Sequence, residues 1–135
     1  MAKPGQLRFV LHEHAARHHH FDLRLEHAGV LASWAVPKGL PEKPGERRLA
    51  VAVEDHETSY ISFSGTIPEG EYGAGTVTIA DSGTYEELAW SREKIEVILH
   101  GIHLTGRYVL VRFRKAGEKE WLVMKVGGNG SDGAV

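Results

Sequence analysis

The feature that most restricts the fold of this chain is an alternation of apolar and polar residues with a period of two. Such alternation, with β-branched and aromatic residues, is typical of β-strands. Helical periodicity is scarce, and only 15–17 and 85–94 are expected to hold a short turn or helix. Eight segments carry the strand pattern: FVLHEH (9–14), HHFDLRLEH (19–27), VLASWAV (30–36), RLAVAVED (48–55), GTVTIAD (75–81), KIEVILH (94–100), GRYVLVRFR (106–114) and EWLVMKV (120–126).

Turns rich in glycine and proline separate these segments, as in PKGLPEKPGE and IPEGEYGAG. Many short strands with such punctuation predict an all-β protein. A closed barrel is favoured because closure removes the edge strands that would otherwise aggregate. We therefore predict a compact β-barrel of about eight strands with one or two short flanking helices. The 135 residues suit one domain over 1–126, followed by a flexible Gly/Ser-rich tail over 127–135.

Composition narrows the possible functions. The chain has no cysteine, so a metal would be held by histidine, carboxylate or water. No apolar run is long enough to cross a bilayer, and the N-terminus lacks the pattern of a secretion signal. We expect a cytoplasmic monomer with no membrane partner. The net charge of −2 argues against a broad duplex-binding surface, but it is compatible with a compact cationic pocket for one strand end.

Nine histidines occur, and six of them fall between positions 12 and 27. Residues two apart in a strand share a face, so the segment 19–25 separates into two sets. The apolar set looks like core: His19, Phe21, Leu23 and Leu25. The polar set carries metal and anion ligands: His18, His20, Asp22 and Arg24.

The Cα atoms of His20 and Asp22 would lie about 7 Å apart, so their side chains can converge on one ion. Arg24 stands one step farther along the same face, where it could meet an anion bound to that ion. His14 supplies a third ligand if 15–17 turns the chain back. The plain alternative is a solvated strand face, and a histidine tract often has no function.

Further candidates lie at neighbouring strand ends. His56 follows the apolar strand AVAV in the sequence EDH, where a lone histidine is more often a surface residue. Cations occur near these segments at Lys38 and at positions 47 and 48. Tyr60 and Tyr72 are by default packing aromatics, and IPEGEYGAG is by default a turn.

Taken in order, several separated motifs resemble the 3′-phosphoesterase domain of bacterial DNA ligase D and its free-standing versions. The resemblance covers roughly residues 8–126. The motifs are HEHAARHHHFDLRLE, VLASWAVPKG, RLAVAVEDHETSY, GTIPEGEYGAGTV, LHGIHLTGRYVLVR and WLVMKV.

The resemblance implies a β-barrel with a crescent-shaped groove and a divalent metal, most often Mn²⁺, with Zn²⁺ or Co²⁺ as alternatives. It also implies two activities on nucleic acid 3′ ends in DNA break repair. A phosphodiesterase step removes a terminal ribonucleoside and leaves a 3′-phosphate, and a phosphomonoesterase step then exposes a 3′-OH. Separate ligase or polymerase repair proteins are the implied partners.

Residue roles follow from motif position. The implied metal ligands are His14, His20 and Asp22. The implied catalytic residues are Arg24, His56 and Tyr60. The implied phosphate-pocket residues are Arg24, Lys38, Arg48, Glu54 and His56.

The sequence departs from the family pattern in two places, and both make the monoesterase step less strongly implied than the diesterase step. Only seven residues precede the region of resemblance, which begins at residue 8, and His12 stands where the family often has glutamine. Two alternative functions remain open. One is a non-haem Fe(II) oxygenase with His20, Asp22 and His56 as its facial triad. The other is a non-catalytic module that binds strand ends.

Overall fold

The computed structural model describes residues 6–127, which form nine antiparallel strands and one short 3₁₀ helix at Thr58–Ser62. The strands are β1 (Leu7–Ala15), β2 (His20–His27), β3 (Val30–Val36), β4 (Arg47–His56), β5 (Gly65–Ile67), β6 (Gly75–Trp90), β7 (Lys94–Gly101), β8 (Thr105–Arg112) and β9 (Glu120–Lys125).

Eight of these strands close into a barrel, in the order β1-β2-β3-β4-β9-β8-β7-β6, with β6 paired back onto β1. The 16-residue β6 allows this closure. One of its edges pairs with β1, while the other pairs with β7 near its end and with β5 near its start. The predicted all-β barrel of about eight strands is therefore confirmed, and β5 is a ninth strand outside the ring.

One local prediction is only partly right. The segment 85–94 holds no helix, because β6 continues as a strand to Trp90 and pairs with β7 from Gly83 onward. The chain turns only at the end of the segment, where Ser91 N donates to Lys94 O at 2.8 Å. Residues 16–18 form a bend between β1 and β2, as the sequence allowed. Of the predicted tail, residues 128–135 lie outside the described residues. No helix within 6–127 has the length and apolar character needed to cross a membrane.

The core fills the inside of the barrel, and β2 shows how it is built. Leu23 and Leu25 are buried in the core cluster, whereas Asp22 and Arg24 alternate with them and face outward. This confirms the predicted division of β2 into an apolar and a polar face. His19, which was grouped with the core, is instead exposed and pairs with Glu13, because β2 begins only at His20. Burial of each leucine contributes about 1.5–3 kcal/mol, so the core holds β2 in this register.

A segment between β4 and β6, residues 57–74, covers part of the outer wall of the barrel. Its 3₁₀ helix contacts β1 and β3. Val10 and Leu31 are fully buried there although they do not belong to the core cluster. Outward side chains of β1 and β2 such as His12, Asp22 and Arg24 are buried on this side of the wall. We call residues 57–74 the covering segment.

A bidentate ion pair joins β1 to β2 at the end of the hairpin far from the bend. Arg8 donates from Nε to Glu26 Oε1 at 3.1 Å and from Nη2 to Oε2 at 2.7 Å. Hydrogen bonding and charge from Arg8 hold the pKa of Glu26 below its usual value. The pair therefore contributes its full stabilisation at pH values above the usual pKa of a glutamate side chain. This contribution is lost as the pH falls through the lowered pKa of Glu26.

We predict that Glu26→Gln makes the free energy of unfolding less dependent on pH in the acid range. At pH 7 the variant should be less stable by up to about 1 kcal/mol, since the Arg8 side chain is 42% exposed and water screens the pair. Between pH 5 and about pH 3 its free energy of unfolding, measured in urea, should fall less than that of the wild type. Glu42→Gln, an exposed control, should keep the wild-type slope; equal slopes for all three proteins would contradict this assignment.

Candidate metal and phosphate site

Three side chains converge on the outer wall where β1 and β2 meet the bend. His14 and His20 are register partners across the β1–β2 pair, and Asp22 lies two residues along β2. Their potential ligand atoms all lie within 4.8 Å of one another. His20 Nε2 is 3.3 Å from Asp22 Oδ1, and His14 Nδ1 is 3.8 Å from Asp22 Oδ2. The structure thus brings together the three residues predicted as metal ligands.

The outer nitrogen of each histidine is held by a backbone carbonyl. His14 Nε2 donates to Gly73 O, and His20 Nδ1 donates to His18 O, each at 2.9 Å. These nitrogens carry hydrogens, so Nδ1 of His14 and Nε2 of His20 are the ring nitrogens that face Asp22. The hydrogen bond to Asp22 raises the pKa of His20, so a bound cation would replace the proton on His20 Nε2. Carbonyl partners that orient metal-binding histidines in this way are a regular feature of metal sites.

Asp22 completes a donor set that fits a divalent cation. Its burial opposes ionisation, but the hydrogen bond to His20 and the charge of Arg24 outweigh this effect and lower the pKa of Asp22. An ionised carboxylate and two imidazole nitrogens therefore face one point. Two nitrogens and one oxygen suit a transition metal and leave further coordination positions for other ligands.

Arg24 lies beside this donor set with its side chain only 5% exposed. Its Nη2 is 3.3 Å from Asp22 Oδ2, and its Nε donates to His12 Nδ1 at 3.1 Å. Nη1 is buried and has no hydrogen-bond partner among residues 6–127. An unpaired buried cationic N–H group is costly, so this atom marks a place that an anion would occupy favourably.

His12 is a residue of this site whose part was not predicted from the sequence. It is fully buried, donates from Nε2 to Phe63 O at 3.0 Å and accepts the hydrogen bond from Arg24. Burial, and to a smaller extent the charge of Arg24, lowers the pKa of His12 to about 4. His12 is therefore a neutral acceptor that orients Arg24. Its position two residues before His14 in a strand was the available signal, because both face the same side.

His56 and Tyr60 form an aromatic wall next to Arg24. His56 ends β4, and its ring stacks on Tyr60 with centroids 4.4 Å apart and planes at 22°. Arg24 Cζ lies 5.0 Å from the centre of the Tyr60 ring, a cation–π contact. Burial and the charge of Arg24 lower the pKa of His56, and burial raises the pKa of Tyr60. Both groups are therefore neutral near pH 7.

These groups share one pocket of about 450 Å³, within the range of small-ligand sites. Of the predicted site residues, it contains His14, His20, Asp22, Arg24, Glu54, His56 and Tyr60. Residues without a sequence-based role also line it, among them Arg17, Ile67 and Tyr72. The oxygenase alternative needed His56 as third ligand, but within the described chain the third member of the donor group is His14.

Lys38 and Arg48 are not among the described residues that line this pocket. The Arg48 guanidinium binds backbone carbonyls instead, with Nη1 2.6 Å from Lys38 O, 3.2 Å from Gly39 O and 3.3 Å from Leu40 O. It thereby holds the loop that follows β3. A phosphate contact by Lys38 or Arg48 stays a prediction.

Residues 12–112 match the family model described as the DNA Ligase D 3'-phosphoesterase domain, a range that includes all of the site residues above. The chain belongs to this family.

Curated relatives of this phosphoesterase-family chain are much longer proteins. A multifunctional non-homologous end joining protein LigD of Mycolicibacterium smegmatis is 47% identical over 88% of the chain and 17% of its own length. The corresponding protein of Mycobacterium tuberculosis H37Rv is 50% identical over 77% of the chain and 14% of its own length. That of Pseudomonas aeruginosa is 43% identical over 90% and 15%. The chain thus spans about a sixth of these relatives.

We predict that Mn²⁺ raises the melting temperature of this phosphoesterase-family domain and that His20→Ala abolishes the effect. A cation that binds only the folded state at 100 times its dissociation constant stabilises it by about 2.7 kcal/mol. Removal of one imidazole ligand should eliminate most of that gain. The measurement is a thermal melt of each protein in MnCl₂ and in chelator.

The matched control is His19→Ala. His19 belongs to the same histidine tract, but its Nε2 bonds to Glu13 Oε2 at 2.7 Å on the opposite face of the strand. This variant should keep the full shift caused by manganese. Equal shifts in both variants, or no shift in the wild type, would contradict the metal site.

Proposed function

We propose that this protein is a metal-dependent phosphoesterase that trims the 3′ ends of nucleic acid strands during DNA break repair. It removes a 3′-terminal ribonucleoside and leaves a 3′-phosphate. It then removes that phosphate to expose a 3′-OH, a step that has weaker support. The observation that carries the proposal is the unpaired Nη1 of Arg24, buried beside three converging metal-ligand atoms.

A divalent cation held by His14, His20 and Asp22 would polarise the phosphoryl group and lower the pKa of a bound water. Manganese is the metal we propose, with zinc or cobalt as alternatives. The contribution of the protein is orientation, because Gly73 O and His18 O fix the two rings before any ligand arrives. A preorganised donor set avoids rearrangement during the reaction.

Arg24 is the proposed phosphate clamp. Its Nε and Nη2 are occupied by His12 and Asp22, which prevents the side chain from rotating. Nη1 then donates to a phosphate oxygen within the same pocket and stabilises charge that builds up in the transition state. Lysine could not replace it, since an ammonium group cannot bind His12, Asp22 and phosphate in one plane.

His56 is the proposed hydrogen-bond donor to the phosphate as a neutral ring, or the proton donor to the leaving ribose oxygen once a bound phosphate anion favours its protonated form. Its ring is held by stacking on Tyr60, and Tyr60 in turn stacks on Phe63 at 4.8 Å. The aromatic wall therefore keeps the imidazole facing the pocket. Proton transfer by a positioned histidine contributes typically about 10²–10⁴-fold to such a step.

The repair role rests on the relatives, whose names assign them to non-homologous end joining. Ligase and polymerase repair proteins are the partners proposed to use the processed 3′ end. A non-catalytic module that binds strand ends would use the same pocket. Turnover of the substrate is the property that distinguishes the enzyme from such a module.

The test is a 5′-labelled primer-template whose primer ends in one ribonucleotide, incubated with MnCl₂ or with chelator. The expected product is one nucleoside shorter and carries a 3′-phosphate that is later converted to a 3′-OH. Asp22→Ala should lower kcat/KM roughly 100-fold or more, because the only carboxylate ligand is lost. Arg24→Lys should fail similarly while it retains the metal-induced rise in melting temperature.

Glu13→Gln serves as the control, because this carboxylate lies on the same hairpin and pairs with His19 instead. It should retain wild-type activity. Binding of the primer without any turnover in manganese would support the non-catalytic module and refute the enzyme. Near-normal trimming by Asp22→Ala would refute the metal assignment.

A further inference from the structure

Tyr72 differs from the other aromatic residues of the pocket. It was expected to pack, but its side chain is 81% exposed, the highest value among the exposed large hydrophobic residues of the described chain. Within residues 6–127 it has no hydrogen bond and no ring contact. Aromatic side chains gain free energy by burial, so an exposed ring at the edge of a pocket invites a ligand with a flat apolar face.

The loop that carries Tyr72 is held close to the metal donor set. Gly73, the next residue, accepts the hydrogen bond from His14 Nε2. Glu71 N donates to Pro68 O at 3.2 Å, and Ala74 N donates to Glu71 O at 3.1 Å. The loop then passes so close to β1 that a Cβ at Gly75 would lie 2.5 Å from Ala15 O. The position of the Tyr72 backbone is therefore coupled to that of His14.

The side chain of Tyr72 lines the same pocket as Arg24. The pocket thus has an ionic side, made of the donor set and Arg24, and an aromatic side at its rim. A ligand that joins a phosphate to a flat ring matches both sides.

We infer that Tyr72 is a stacking platform for the base of the 3′-terminal nucleotide. The inference rests on the proposed function and adds a determinant of substrate recognition to it. Every nucleobase has a π-face, so this contact recognises a nucleotide without selecting its sequence. It explains how an acidic domain can bind a strand end: stacking supplies affinity that does not depend on surface charge.

The test compares two primer-templates, one with a terminal ribonucleotide and one whose terminal ribose carries hydrogen in place of the base. The wild type should prefer the first by about 5- to 150-fold in kcat/KM, which corresponds to about 1–3 kcal/mol at 1.4 kcal/mol per tenfold. In Tyr72→Ala the ratio should fall to within about 2-fold of unity, with the change mainly in KM. Tyr72→Trp and Tyr72→Phe should keep the preference.

Phe113→Ala is the matched control, because Phe113 is another exposed aromatic residue, 37% exposed, and does not line the pocket. It should keep the wild-type ratio. A wild type without preference, or a Tyr72→Ala variant that retains it, overturns the platform.

Equilibrium binding of both primers to each protein, measured by fluorescence anisotropy, separates this inference from the proposed function. Base-dependent binding that Tyr72→Ala abolishes, without cleavage by the wild type, would refute the esterase and keep the platform. Cleavage with no dependence on the base would refute the platform and keep the esterase. Binding without base dependence and without cleavage would refute both.

Discussion

The site of this protein depends on the two-residue repeat of a single strand. Leu23 and Leu25 are buried in the barrel core, and this burial obliges Asp22 and Arg24 to face the opposite side. A shift of one residue in the register of β2 would move the leucines out of the barrel core and the charged side chains into it. The hydrophobic core therefore does more than stabilise the fold, since it holds the carboxylate and the guanidinium on one face, side by side, as the proposed metal-bound phosphate requires.

The second requirement is the covering segment, which turns an outer barrel wall into a pocket. Through Gly73 O it orients His14, and through Phe63 O it holds His12, which in turn orients Arg24. Tyr60 comes from the same segment and stacks on His56. The barrel supplies the proposed ligands. The segment orients His14, whereas His20 is held by His18 O in the bend between β1 and β2. A change that loosened this segment would be expected to affect the metal site and the phosphate site together.

The sequence pattern was sufficient to predict the barrel strands and the polar face of β2, because the alternation of apolar and polar residues depends only on residues that are neighbours in the chain. It failed at 85–90, where Glu86, Glu87 and Leu88 favour a helix locally but pairing with β7 and the burial of Tyr85 decide for a strand. The three-residue β5 is too short to show a period. The carbonyls of Gly73 and His18 left no signal either, because every residue has a carbonyl. The exposure of Tyr72 depends on a loop whose path only the fold determines.

The most direct measurement of the central claim is anomalous diffraction from crystals grown with Mn²⁺. The account predicts one strong peak about 2.0–2.3 Å from His14 Nδ1, His20 Nε2 and an Asp22 carboxylate oxygen. A peak held instead by His18 or His19, or no peak between β1 and the start of β2, would contradict the account.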